Sequence, residues 1–187
     1  MQTATLPAHA RPRRLRRAEY DTLAGEGFFR GERVELIQGI VVEMSPIGPA
    51  HANPLDLLVE RLVPALVRRA RVRVQQPFAL ADDSEPEPDL AIVPLGQYAE
   101  RHPDRAYLIV EIAETSLEYD RETKAPLYAA AGIGEYWIVD VNARCVEVFE
   151  GLAAGQYTRI RRVEADGELV VPGFDDAKVR VGELFGS

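Results

Sequence analysis

Residues 88–124 decide the expected fold, and they read PDLAIVPLGQYAERHPDRAYLIVEIAETSLEYDRETK. Asp89 stands at the head of the apolar run 90–93, and Glu111 interrupts the next apolar run, 107–113. Short continuous apolar runs are typical of strands that are buried on both faces. Because a buried charge is costly unless it is paired or bound to a metal, the two carboxylates indicate a functional site in the sheet.

Two carboxylates on neighbouring strands and a nearby lysine are the parts of a magnesium-dependent phosphodiesterase site. Mg²⁺ prefers oxygen ligands and keeps several waters, and Asp89 and Glu111 supply such oxygens. A metal-bound water is a nucleophile, and a lysine can stabilise the charge that develops on the phosphate. Lys124 lies in the helix expected after the Glu111 strand, with Tyr128 one turn further on. These residues therefore predict a hydrolytic metal site.

Simpler interpretations of the same residues stay open. Asp89 could cap a turn, and Glu111 could form a buried salt bridge with Arg121. Lys124 could form an ordinary i,i+4 ion pair with Asp120. Asp120 is also expected to cap the N-terminus of its helix, where a negative charge is favourable, and only secondarily to orient Lys124.

Four further residues are weaker candidates. Glu35 interrupts an apolar hairpin strand and either reaches the metal or points outward. His51, expected at the start of a long helix, is either a cap-region residue or a phosphate contact. Gln75 or Gln76 could orient a water or contact nucleic acid, although glutamine is also common on strand surfaces. None of these alternatives is decided by the sequence.

The composition bounds the class of protein. A chain of 187 residues with 47% hydrophobic and 28% charged residues is typical of a soluble globular protein. Residues 1–14 are predicted to form a flexible arginine-rich arm, and residues 15–187 a single domain.

The single cysteine, Cys145, excludes an internal disulfide and a cysteine-built zinc site, and its strand context predicts a buried, inert thiol. No apolar run reaches the length of a membrane span, so no membrane association and a cytoplasmic location are expected.

Charge and motifs limit the possible functions. The net charge of −8 does not by itself favour nucleic acid, because proteins that grip a duplex usually present a basic face. The arginines do cluster, in 11–17 and in 68–73, but a solvated arm and a solvated helix end are the favoured explanations of these clusters. The chain has no phosphate-binding glycine loop, no HExxH, no GxSxG and no dinucleotide fingerprint. These absences exclude the common nucleotide-binding, zinc-peptidase and serine-hydrolase classes.

The pattern of apolar residues predicts one α/β domain with a mixed sheet. The expected helices are 16–24, 52–69 (kinked at Pro64) and 121–131. The expected strands are 34–37, 40–44, 72–80, 90–93, 107–113, 136–139, 146–149, 157–163 and 168–171, with a loop over 81–88.

Several of these segments also resemble a known family, in the same order along the chain. The segments are 34–39 (VELIQG), 43–46 (EMSP), 87–90 (EPDL), 110–112 (VEI), 119–121 (YDR) with Lys124 and Tyr128, and 134–140 (GEYWIVD). They resemble the Uma-two family of "putative restriction endonucleases" over roughly residues 16–185. The resemblance implies a restriction-endonuclease-like PD-(D/E)XK core: a central mixed β-sheet flanked by helices, with an extra N-terminal hairpin and C-terminal strands.

The resemblance also implies roles for individual residues. Asp89 and Glu111 would bind Mg²⁺, or Mn²⁺ as a substitute, together with the backbone carbonyl of Ile112. The superfamily lysine usually stands two residues after the glutamate, where this chain has Ala113, and Lys124 fits a position that has moved to the following helix. Two departures, Gln38 and the segment 52–54, leave the roles of Glu35 and His51 open.

The expected function is therefore Mg²⁺-dependent endonucleolytic hydrolysis of nucleic acid, with DNA as the expected substrate and a homodimer as the expected assembly. Two alternatives remain from other classes. One is a catalytically silent module that binds nucleic acid or protein. The other is an interaction protein that dimerises through its tail hairpin and docks partners on the acidic loop 82–87.

Overall fold

The computed structural model describes residues 11–186, in which helices and strands are mixed along the chain. The helices are α1 (Arg17–Gly25), α2 (Pro49–Leu66), α3 (Leu117–Tyr119) and α4 (Ala125–Ala130), with a π-helical turn at Asp120–Lys124 and a 3₁₀ helix at Val181–Phe185. The strands are β1 (Val34–Ile37), β2 (Ile40–Glu43), β3 (Arg71–Val74), β4 (Leu90–Val93), β5 (Leu108–Ala113), β6 (Tyr136–Asp140), β7 (Cys145–Ala153), β8 (Gln156–Val163), β9 (Glu168–Val171) and β10 (Phe174–Arg180).

A six-stranded sheet in the order β3-β4-β5-β6-β7-β8 forms the centre of the domain. β5 and β6 are parallel, and the other neighbouring pairs are antiparallel. The hairpins β1–β2 and β9–β10 form two separate two-stranded sheets. The prediction of a mixed central sheet flanked by helices, with an N-terminal hairpin and C-terminal strands, is confirmed.

Side chains that alternate along the central strands enter two different apolar cores. Leu90 and Ile92 of β4 pack with α2, β9 and β10 on one face. Ala91 and Val93 pack with α4 and Phe78 on the other face. Because both faces are covered, the central strands read as continuous apolar runs and a charge within them is exceptional.

Several predicted boundaries were wrong, and two of them have a clear cause in the backbone. α2 spans Pro49–Leu66 and not 52–69, because Pro49 occupies the first helical turn, where the missing N–H has no helical partner, and Arg68 then adopts a left-handed φ of 63°. The strand predicted over 72–80 is confined to β3, because Gln75 adopts a φ of 48° and turns the chain out of the ladder.

The predicted capping role of Asp120 was also wrong. The helical segment begins earlier, at Leu117, so Asp120 lies inside it with αR backbone angles. Asp120 opens the π-helical turn, whose N–H···O bond runs from Ala125 back to the Asp120 carbonyl. π-helical turns occur frequently at functional sites, and here the turn carries both Asp120 and Lys124, whose side chains are buried.

The loop 81–88 is a support for the β1–β2 hairpin. The backbones of Leu36 and Glu85 exchange two hydrogen bonds of 3.2 and 2.7 Å, and the N–H of Gln38 donates to Oγ of Ser84 at 2.9 Å. Ser84 and Glu85 are consequently buried. This anchoring turns Glu35 of β1 toward the interior, and much of the acidic loop proposed as a docking surface is not free.

The two ends of the chain make different contacts. Of the predicted flexible arm 1–14, residues 1–10 lie outside the described residues, and Arg14 bonds to the carbonyl of Gln38. Leu15, the first residue after the predicted arm, donates to the carbonyl of Gly39 at 2.9 Å. The tail hairpin β9–β10 buries Leu169 and Val179 in the α2 core, so this apolar face is used within the chain. Within residues 11–186, no helix is both long and apolar enough to span a membrane.

Candidate active site

Three polar residues form one row across three adjacent strands. Leu90 pairs with Val74 on one side and with Val110 on the other, so the next row contains Gln75, Asp89 and Glu111. The backbone N–H of Asp89 donates to Oε2 of Glu111 at 3.2 Å. The antiparallel register therefore places the two predicted carboxylates side by side, at the point where β4 begins.

Asp89 is held by donors from three different elements. Its Oδ1 lies 2.9 Å from Nε2 of His51 on α2 and accepts from Nε2 of Gln75 at 3.1 Å, while its Oδ2 accepts from the N–H of Ile112 at 2.8 Å. Burial alone would raise the pKa of Asp89, but the bonds from His51, Ile112 and Gln75 hold it below its usual value. Asp89 is thus a fixed, ionised carboxylate and does not cap a turn.

His51 lies in the first turn of α2, where sequence analysis expected it near the helix start. The hydrogen bond to Asp89 raises the pKa of His51, against the effect of burial. Its role is therefore to orient Asp89, a contact between residues 38 positions apart that the sequence did not reveal. Gln75, rather than Gln76, is the glutamine that reaches the site.

Glu111 is buried and pairs with the helical segment that follows β5. Its Oε1 accepts from Nζ of Lys124 at 3.0 Å and from the hydroxyl of Tyr128 at 2.9 Å. Burial raises the pKa of Glu111 and the positive charge of Lys124 opposes that rise. The alternative pairing with Arg121 was wrong, because the Arg121 guanidinium binds Glu147, with Nε 2.7 Å from Oε2.

Lys124 is shared between two buried carboxylates. Its Nζ lies 3.3 Å from Oε2 of Glu35 as well as 3.0 Å from Glu111, and 5.8 Å from the ring centre of Tyr119. Burial alone would lower the pKa of Lys124, but the surrounding carboxylates raise it above its ordinary value. Lys124 is therefore a stable cation at neutral pH.

Glu35 faces inward, so the outward-facing alternative was wrong. It is 2% exposed, and its Oε2 accepts from the N–H of Glu87 at 3.2 Å. Asp120 is not the ion-pair partner of Lys124 that a plain helical spacing suggested. Its Oδ2 accepts from Oγ of Ser116 at 2.6 Å, and burial raises its pKa to about 6.

These residues line a cavity of about 250 Å³ between the hairpin and the π-helical turn. Its carboxyl groups are Glu35, Glu43, Glu87, Asp89, Glu111, Glu114 and Asp120. Among the residues that line the cavity, Arg33 and Lys124 are the basic residues, and the third residue that can carry positive charge is His51. The cavity therefore has an excess of negative charge, which favours cations and disfavours an unaccompanied phosphate.

Comparison with known proteins agrees with this architecture. The family model Uma2, described as "Putative restriction endonuclease", matches residues 17–181. The chain belongs to the Uma2 family. Four chains among solved structures match significantly; one is a "putative nuclease belonging to DUF820" from Anabaena variabilis, with a TM-score of 0.69 and 17% identity, covering 82% of this chain and 90% of that one. No curated protein matches the chain significantly.

The carboxylates of this Uma2 site offer oxygen donors to a divalent cation. Within residues 11–186, no three His, Cys, Asp or Glu side chains enclose a metal position. Mg²⁺, however, is usually bound through only one or two protein carboxylates with waters and substrate phosphates. Oδ2 of Asp89 and Oε2 of Glu111 each accept one hydrogen bond from the described residues, so each keeps acceptor capacity. The residues present fit Mg²⁺ or Mn²⁺.

Two supporting residues of this Uma2 site were missed by sequence analysis. Tyr119 places its ring near Lys124 and its hydroxyl 3.5 Å from Oε1 of Glu35, and Ser116 bonds to Asp120. Tyr119 belongs to a segment that resembles the family motifs. Its closeness to Lys124 in the sequence could have identified it as a site residue. Ser116 gave none, because its contact depends on where the helix begins.

Proposed function

We propose that this protein is a metal-dependent endonuclease that hydrolyses phosphodiester bonds of DNA. The observation that carries the proposal is the buried pair of Lys124 and Glu111, 3.0 Å apart, beside the fixed carboxylate of Asp89 in an acidic cavity. Family membership and the nuclease-like fold support the same chemistry. Fold alone does not determine function, so the proposal depends on the site.

Asp89 and Glu111, with the backbone carbonyl of Ile112, are the groups that would hold Mg²⁺ or Mn²⁺. A bound divalent cation would offset the excess negative charge of the cavity and supply a water of lowered pKa as nucleophile. His51, Gln75 and the N–H of Ile112 fix the orientation of the Asp89 carboxylate, which preorganises the metal position.

Lys124 acts as a cation in this scheme. Because its pKa is raised, it is protonated at neutral pH and a poor base. Its ammonium group can hydrogen-bond the attacking water and stabilise the negative charge that develops on the phosphate oxygens. Glu35 then acts as a positioning residue that keeps the lysine charged and directed at the cavity.

The proposal is tested by cleavage of duplex DNA in Mg²⁺ or Mn²⁺ by wild type, Asp89→Asn and Glu111→Gln. Asp56→Asn and Glu122→Gln are matched controls, because both carboxylates are exposed. We expect both site variants to lose activity by at least about 100-fold while the controls retain it. Cleavage by Asp89→Asn at the wild-type rate would refute the assignment, and a folded wild type that neither binds metal nor cleaves DNA would favour the silent binding module.

We further propose that the protein is a cytoplasmic homodimer. A homodimer would bring two sites to the two strands of a duplex, and a cytoplasmic enzyme would have access to DNA. Light scattering on the purified protein distinguishes a dimer of about twice 20.8 kDa from a monomer.

A further inference from the structure

The edge strand β3 carries two arginines on the same sheet face as the catalytic carboxylates. Arg73 pairs with Ala91, whose side chain enters the core on the α4 side, and Arg71 stands two residues earlier. Val72 and Val74 turn to the α2 side. Because side chains alternate along a strand, Arg71 and Arg73 share the face on which Asp89 and Glu111 lie.

The two guanidinium groups lie over the same aromatic ring. Their central carbons lie 5.6 Å (Arg71) and 5.8 Å (Arg73) from the ring centre of Tyr98, within the range of cation–π attraction. The Tyr98 hydroxyl donates to the carbonyl of Pro94 at 2.8 Å, which fixes the ring. The two positive charges are thus held next to each other, although like charges repel.

Neither arginine is neutralised by a carboxylate. Within the part of the chain that the structure describes, none lies within 4.0 Å of either guanidinium. By contrast, nearby Arg69 binds Asp176 at 2.9 Å, and Arg159 and Arg161 at the opposite sheet edge both bind Glu150. Nη2 of Arg73 lies 3.5 Å from the carbonyl of Pro77, which leaves the positive charge of that guanidinium without a carboxylate. Two adjacent guanidinium groups without a carboxylate partner are suited to an anion that is not part of this chain.

We propose that Arg71 and Arg73 bind backbone phosphates of a DNA duplex whose scissile phosphate lies at the Asp89 cavity. This inference rests on the proposed nuclease function. The acidic cavity itself cannot attract DNA, so affinity has to come from outside it, and phosphate contacts supply most of such affinity. Gln75, whose side chain bonds to Asp89, follows Arg73 by two residues on the same chain segment.

The test measures binding of a labelled duplex by fluorescence anisotropy over a series of salt concentrations, in an Asp89→Asn background that prevents cleavage. The variant is Arg71→Ala/Arg73→Ala, and the control is Arg159→Ala/Arg161→Ala, which removes the same charge at the far edge. We expect the first pair to weaken binding and to reduce the slope of log K against log salt by about 1.8, at about 0.9 per phosphate. The control should leave the slope unchanged.

Further variants separate a phosphate contact from a structural role. Arg71→Lys/Arg73→Lys keeps both charges and should restore most of the slope, and Arg71→Gln, at an exposed position, serves if the double variant unfolds. Arginines on edge strands can also merely prevent aggregation. In that case the double variant would aggregate but keep the parent affinity and slope, which would overturn the inference.

The outcomes also distinguish this inference from the proposed function. If wild type cleaves DNA and Arg71→Ala/Arg73→Ala cleaves it with the same KM, the arginine contact is refuted while the nuclease stands. If the variant raises KM with little change in kcat, both are supported. If the parent protein neither binds nor cleaves duplex DNA, both fail together.

Discussion

The ammonium nitrogen of Lys124 lies 3.0 Å from Oε1 of Glu111, in a position that is almost closed to solvent. The two residues come from a central strand and from a π-helical turn, so the fold itself brings them together. A second carboxylate, Glu35 of the hairpin, lies 3.3 Å from the same nitrogen. The buried positive charge of Lys124 therefore pairs with carboxylates from two other segments of the chain, β1 and β5.

Removal of that charge should destabilise the fold. Lys124→Met leaves Glu35 and Glu111 buried without a cation, and we expect the free energy of unfolding to fall by about 3–5 kcal/mol. Denaturant unfolding at pH 7 measures the loss. In the double variant Glu35→Gln/Lys124→Met the loss should be smaller than in Lys124→Met alone. Equal losses in the two proteins would show that Glu35 is not coupled to the lysine.

The hydroxyl of Tyr128 should contribute to stability because it donates to Glu111 at 2.9 Å in the core. Tyr128→Phe removes the donor and should cost about 1–3 kcal/mol. Tyr157→Phe is the matched control, because the buried Tyr157 hydroxyl has no hydrogen-bond partner among residues 11–186. Its loss should be neutral or slightly stabilising. A Tyr157→Phe variant that loses as much stability as Tyr128→Phe would contradict this reading.

Glu85 should make stability depend on pH. Burial and the neighbouring Asp21 carboxylate raise the pKa of Glu85 from 4.5 to about 7. The folded state thus binds this proton more tightly than the unfolded state, so the stabilisation is complete below about pH 4.5 and is lost as the pH rises through 7.

Glu85→Gln removes this titration. We expect the variant to melt at a higher temperature than wild type at pH 8, and the difference to shrink at pH 5. Glu60→Gln, at an exposed position of α2, should show no such pH-dependent difference. A Glu85→Gln difference that grows on acidification would have the wrong sign for this account.

The sheet and the central pair of carboxylates could be predicted from the sequence for a physical reason. Strands buried on both faces give continuous apolar runs, so Asp89 and Glu111 were conspicuous, and their antiparallel register then made them neighbours. Lys124 was selected because it lies in the helix that follows the Glu111 strand, and the family motifs then supported the choice.

The supporting contacts could not be predicted, because each depends on a distant segment. Glu35 faces inward only because the loop residues Ser84 and Glu85 bond to the hairpin. His51 reaches Asp89 only because α2 begins at Pro49, three residues before the predicted start. Neither the hairpin pattern nor the helical periodicity carries this information, since both describe local structure.

Asp89 and Glu111 are proposed to hold a divalent cation together, and titration calorimetry with Mn²⁺ measures that binding without a nucleic-acid substrate. We predict saturable binding to wild type and to Asp56→Asn, and its loss in Asp89→Asn and Glu111→Gln with the fold retained. Absence of Mn²⁺ binding to folded wild type, or equal binding by Asp89→Asn, would contradict the proposal.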